Sequence, residues 1–193
     1  MKPFDLFVVE LEKTTNDTIT TDSGIELFID TKFNEFEHRV TEGPVVSAVA
    51  NHNTGVNPGD TLYFHHLVVM NEGQTLTGYE NHYLVRYNPE HAVNNQAIAY
   101  KNSKGEINLL GSWTLLTPIE ESEDVAEAII EIITTEESDK LKGRLAFESS
   151  YTKELGISAG DVVGFKKNMD YRITIDGQEY YRVRSEDLLY VEI

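Results

Sequence analysis

The sequence of 193 residues contains no cysteine. That excludes disulfides, thiolate metal sites and a cysteine nucleophile, and a reducing cytoplasm is the expected compartment. Proline is sparse at five residues, and tryptophan occurs once, as Trp113. No apolar run approaches the roughly 18 residues that a membrane-spanning helix needs. The N-terminal stretch MKPFDLFVVELEK has no apolar h-region and turns acidic at once, so it does not read as a signal peptide. Bases are also short: 16 Lys and Arg stand against 33 Asp and Glu, a formal net charge of −17. Such a surface repels nucleic acid and anionic membranes.

Catalytic signatures are missing as well. There is no GxSxG, no phosphate-binding loop and no GxGxxG. The chain is therefore expected not to be an enzyme and to need no cofactor. His52, His65, His66, His82 and His91 fall in no HxH or HExxH spacing, so no metal site is expected. Surface or loop-lining roles suit them better. Trp113 and the tyrosines at 79, 83, 87, 171, 180 and 181 are expected to pack within and across strands.

What the sequence does have is a repeat. VTEGPVVSAV, GVNPGDTLYF and HYLVRYNPEH in the first half return as KLKGRLAFES, GISAGDVVGF and EYYRVRSEDL in the second. Gly43 and Gly143 are 100 residues apart, Gly59-Asp60 and Gly160-Asp161 are 101 apart, and Tyr83 and Tyr180 are 97 apart. Asn57-Pro58-Gly59-Asp60 reads as a turn, because Pro fixes φ, Gly permits positive φ and Asp can cap its own turn. Ser158-Ala159-Gly160-Asp161 repeats it. A strand is expected after each, at Thr61 to Phe64 and Val162 to Phe165. Asn71-Glu72-Gly73 and Asp176-Gly177 read as hairpin tips. Asn88-Pro89-Glu90 and Ser185-Glu186-Asp187 read as short helical turns capped by Asn88 and Ser185. The candidate longer helix is Val125 to Ile133, weakened by β-branched residues.

Short strands with frequent turn signals predict a mostly β fold of two tandem small barrels, residues 1–102 and 103–193. The join is expected between Asn94 and Gly111, with the Lys101 to Gly105 stretch forming a hairpin. From Glu120 to Asp139 there are nine acids and no base, which reads as a solvated segment.

The stretch from Gly160-Asp161-Val162-Val163-Gly164-Phe165 through Asp176-Gly177 to Ser185-Glu186-Asp187-Leu188-Leu189-Tyr190-Val191 resembles the C-terminal half of a GroES co-chaperonin. GPVVSAV, NPGDTLYF and YLVRYNPEH resemble the same pattern in the first half. KPFDLFVVELEK and Trp113 to Ile119 resemble the family's opening strand. The resemblance implies two tandem GroES-like barrels and a ring-forming lid for a GroEL-type chaperonin, whose ATP cycle assists protein folding. Doubled subunits occur in plastid relatives. A phage-encoded lid acting in a host cytoplasm would suit so divergent a chain.

The family carries a mobile loop whose apolar tripeptide docks in a groove of the chaperonin's apical domain. Here the equivalent loop is residues 14–39, which opens on the polar TTNDTITTDSG, as a disordered segment should. Its anchor would be Ile25, Glu26, Leu27 and Phe28. Glu26 departs from the apolar pattern, but in an extended strand it points away from Ile25 and Leu27. In the second copy, within an acidic loop at 120–141, Ile130 and Ile132 repeat the apolar-Glu-apolar order. The resemblance also implies pairing between neighbouring chains through the first strand (Phe4 to Leu11) and the last (Leu188 to Ile193), both expected as exposed edges. Two other readings remain open: a tandem β-barrel binding or virion-associated module without docking, and an accessory domain of the kind found beside dinucleotide-binding domains.

Overall fold

The computed structural model describes residues 2–21, 23–31, 35–72, 75–90, 92–119, 141–169 and 171–192. It is mostly β and divides into two units, residues 1–111 and 112–193. The expected candidate helix at Val125 to Ile133, the acidic run and the anchors Ile130 and Ile132 lie outside the described residues, as does His91.

In the first unit, β1 (Leu6–Glu10), β4 (Glu42–Ser47), β5 (Thr61–Phe64), β6 (His82–Arg86), β7 (Ala97–Lys101) and β8 (Ile107–Leu109) form an antiparallel sheet in the order β6-β1-β4-β5-β7-β8. A separate hairpin joins β2 (Thr18–Thr20) and β3 (Glu26–Phe28). In the second unit, β9 (Trp113–Pro118), β10 (Lys142–Leu145), β11 (Val162–Phe165), β12 (Arg172–Ile175), β13 (Gln178–Arg184) and β14 (Leu188–Val191) follow the order β12-β13-β9-β10-β11-β14. Five strands recur in the same order: β6-β1-β4-β5-β7 matches β13-β9-β10-β11-β14.

The match extends to single bonds. Gly59 donates its N–H to Val45 O at 2.8 Å, and Gly160 donates to Leu145 O at 2.8 Å. Both glycines have φ near +95°, a conformation open to them because they lack a Cβ. The register of β5 on β7 slips between Tyr63 and Phe64, and that of β11 on β14 slips between Gly164 and Phe165. One pairing shifts from the sequence reading. Tyr83 faces Val9, and its counterpart facing Leu116 is Tyr181, not Tyr180. The offset there is 98 residues.

Each unit has its own core. Phe7, Val9, Val45, Leu62, Phe64 and Val85 are buried in the first, and Leu116, Leu145, Ile157, Val163, Phe165 and Val183 in the second. Strands β4 and β12 alternate buried and open positions, the period of a sheet with one covered face. Trp113 is buried, as expected.

The Lys101 to Gly105 stretch is indeed a hairpin. Asn102 Oδ1 accepts the N–H groups of Lys104 and Glu106, both at 3.0 Å, and Gly105 sits at φ +82°. Because β8 then pairs back onto β7, residues 107–109 belong to the first sheet, and the division falls at Gly111 rather than Asn102. Asp176-Gly177 is a two-residue turn with φ of 51° and 78°, as its sequence predicts.

Other expectations are corrected. Asn71 and Glu72 close a 3-10 run, His66–Glu72, instead of a hairpin tip. Asn88 Oδ1 accepts Glu90 N–H at 3.0 Å, but residues 89–90 form a bend and not the expected helical turn. Ser185 does not cap its 3-10 turn; its hydroxyl meets Thr114 Oγ1 at 2.9 Å inside the unit. The first strand is not an edge, since β1 lies between β4 and β6. The last strand is an edge among the described residues, where β14 pairs with β11 alone and exposes Leu189 and Tyr190. A short helix, α2 (Ser150–Glu154), follows β10 on a capping box between Ser149 and Thr152 that the sequence reading passed over.

Candidate docking site

The loop at 14–39 leaves the first unit and returns to it as a stalk. Thr15 bridges to Arg39. Val40 N–H donates to Thr14 O at 2.9 Å, and Asn16 N–H donates to His38 O at 2.6 Å. Farther out Ile29 N–H reaches Asp17 O at 2.8 Å, and β2 then pairs with β3 in the register Thr18↔Phe28, Ile19↔Leu27, Thr20↔Glu26. The tip closes when Gly24, at φ +79°, donates to Thr21 O at 2.8 Å and Thr21 N–H reaches Ile25 O at 2.9 Å. Thr21 Oγ1 also accepts Ile25 N–H at 3.1 Å.

Within the polar opening of this loop, Thr18–Thr20 form a strand, where the sequence suggested an unpatterned segment. The signal was present. Thr18-Ile19-Thr20 and Glu26-Leu27-Phe28 are β-prone triplets on either side of Ser23-Gly24. Three-residue strands are too short for alternation to stand out from a polar stretch.

The hairpin brings the four expected anchor residues together. Ile25 is 58% exposed, Leu27 52% and Phe28 83%. Along β3, Leu27 shares one face with Ile25, while Glu26 and Phe28 share the other. The far side of β3 has no sheet partner among the described residues. An unpaired edge carrying three exposed apolar side chains is a surface suited to an extended-strand contact.

Where the loop rejoins the barrel lies a short helix, α1 (Glu35–His38). Its Phe36 ring meets His66 edge to face, with centroids 5.6 Å apart. The Arg39 guanidinium lies 4.7 Å over the Phe36 ring, and Arg39 itself is buried. His66 in turn stacks on His65 at 4.4 Å. Sequence reasoning missed Phe36, because a lone aromatic between two glutamates carries no pattern.

The histidines otherwise take local partners. His52 Nε2 lies 3.7 Å from Asp5 Oδ1, and its ring meets Tyr87 edge to face. Among the described residues no group of three or more His, Asp or Glu could hold a metal ion. No helix among them is long and apolar enough to cross a membrane.

In the second unit the counterparts of His65-His66 are Lys166-Lys167. Lys166 N–H donates to Asp187 O at 3.0 Å as His65 N–H donates to Gln96 O at 2.9 Å. The Lys166 ammonium also donates to Asp187 Oδ1 at 2.8 Å, which raises its pKa above the usual lysine value. Burial pushes Arg182 down to about 10, with Tyr171 pulling upward and Arg184 pushing down. Its guanidinium lies over the rings of Tyr171 and Trp113 at 5.0 and 5.7 Å.

No protein-family model matches the sequence. Among characterised proteins, the co-chaperonin GroES of Coprothermobacter proteolyticus is 33% identical over 92 residues, which cover 94% of that protein and 45% of this chain. The chain belongs to the GroES co-chaperonin family. The aligned stretch spans almost the whole of a GroES relative and less than half of this chain. That proportion agrees with a chain holding two units of one strand order.

Proposed function

We propose that this chain is a co-chaperonin built of two GroES-type domains in tandem. It caps a GroEL-type chaperonin by docking the β2–β3 hairpin on the partner's apical domain. The observation that carries this reading is the exposed apolar strand of a GroES-family chain, with Ile25, Leu27 and Phe28 standing free of any core. A hairpin contact of this size is weak by itself. Several such hairpins on one ring bind together, and effective concentration converts weak sites into useful avidity. Weak single sites also let a lid leave when its partner changes state.

Under this reading the chain performs no chemistry of its own and ATP turnover belongs to the partner. The open edge of β14 supplies one side of a chain-to-chain contact within a ring. The working compartment is the cytoplasm, that of a host if the chain is phage-encoded. The test is to mix the protein with a GroEL-type chaperonin on a sizing column, with and without nucleotide. The proposal expects co-migration that depends on nucleotide. Its absence with every plausible host chaperonin would sink the proposal.

A further inference from the structure

We infer that Phe36, held between Arg39 and His66, is a positioning residue that fixes the stalk of the hairpin to the first unit before any partner arrives. The inference deepens the docking reading above and rests on it for its functional consequence.

The hairpin has little to hold it in one place. A two-stranded sheet is marginal in water by itself, and every residue of β3 is exposed. Backbone bonds from Thr14 to Asp17 and from Ile29 to Val40 keep the two legs together, but they say nothing of the angle at which the stalk leaves the sheet. That angle is set by the side chains at its foot. Phe36 is a described residue there whose side chain reaches across. Its ring edge meets His66, which opens the 3-10 run after β5, while the Arg39 cation covers its face. Arg39 is 7% exposed, so the cation that covers the ring is shielded from water. Phe36 itself remains 58% exposed, more than packing into a core would leave.

A loop ordered before binding loses less conformational entropy on docking. An edge-to-face pair and a cation–π contact together are worth about a tenfold change in an equilibrium constant. The latch should therefore act on affinity through order, without touching the partner.

Two readouts on the intact protein test it: amide hydrogen exchange of Asn16, Ile29 and the β2–β3 ladder, and affinity for a GroEL-type chaperonin with nucleotide. Phe36→Ala is expected to speed exchange in the hairpin about tenfold and to weaken binding by a similar factor. Phe36→Tyr keeps the ring and should restore both. His66→Ala, which cuts the latch from the barrel side, should reproduce Phe36→Ala. If Phe36→Ala leaves exchange unchanged, the latch is wrong, and an accompanying loss of affinity would make Phe36 a direct contact instead. If Phe36→Tyr fails to restore exchange, the ring contact is not the cause and the inference falls. Ile25→Ser with Leu27→Ser separates the two claims. Full binding by that variant overturns the docking reading, while faster exchange in Phe36→Ala would still uphold the latch.

Discussion

Asp60 and Asp161 close the same turn in the two units. Asp60 Oδ2 accepts Asn57 N–H at 2.8 Å, and Asp161 Oδ2 accepts Ser158 N–H at 2.9 Å. Each aspartate also returns its own N–H to the first residue of the turn, at 3.1 Å in both. Replacing Asp60 by Ala strands a donor beside a buried position and should lower the stability of the first unit by about 1–3 kcal/mol. Asp161 is more exposed, so Asp161→Ala should cost less. Denaturant titration of each variant checks both, and equal or negligible losses would contradict the account.

Thr114 and Ser185 form a hydroxyl pair inside the second unit. Thr114→Val leaves the Ser185 hydroxyl without that partner and should cost about 1–3 kcal/mol. Adding Ser185→Ala removes the stranded group, so the double variant should lose clearly less than the two single losses combined. Equilibrium unfolding of the four proteins in the cycle decides it. Simple additivity would mean that the hydroxyls do not depend on each other.

Gly143 tests the close approach of β10 and β9. A Cβ there would meet Leu116 Cβ at 2.7 Å and Thr117 O at 3.1 Å, neither of them a flexible tip. Gly143→Ala should therefore destabilise the second unit by about 1–3 kcal/mol through overpacking. A melting temperature equal to that of the parent would show that the strands can part without cost.

Much of this architecture was legible in the sequence, because it is written in turns. Asn57 to Asp60, Ser158 to Asp161 and Asp176-Gly177 announce themselves by residues that few other conformations favour, and the strands between them follow. Edges were less legible. Nothing in Leu6 to Glu10 says whether one neighbour or two will pair with it, since that depends on β6 returning from 72 residues later. Ser185 misled for a related reason: a serine before two acids is a good cap, yet a buried threonine opposite offered it a better-shielded partner. Within the proposed site, Ile25 and Leu27 are named through the family resemblance, which sets an apolar anchor after Gly24. Phe36 is not, because its partners Arg39 and His66 are joined only by the fold.

The Lys166–Asp187 pair gives a pH dependence. The hydrogen bond to Asp187 raises the lysine pKa in the folded state, so its contribution is complete below the ordinary lysine value and fades as pH rises through the raised one. The stability difference between the parent and Lys166→Met should stay constant through neutral pH and shrink only above about 10.5. Paired urea titrations across pH 6 to 11 would show it. A difference that shrinks on acidification from neutral to pH 6 would contradict this assignment.

The most direct test of the docking account is the affinity of Ile25→Ser/Leu27→Ser for a GroEL-type chaperonin in the presence of nucleotide, with native mass recorded on the same sample. Each apolar side chain buried in a groove is worth about 1.5–3 kcal/mol, and the loss repeats on every docked hairpin. The account predicts that binding falls by at least about 100-fold while the oligomer mass stays that of the parent. Undiminished binding by an oligomer of parental mass would contradict it.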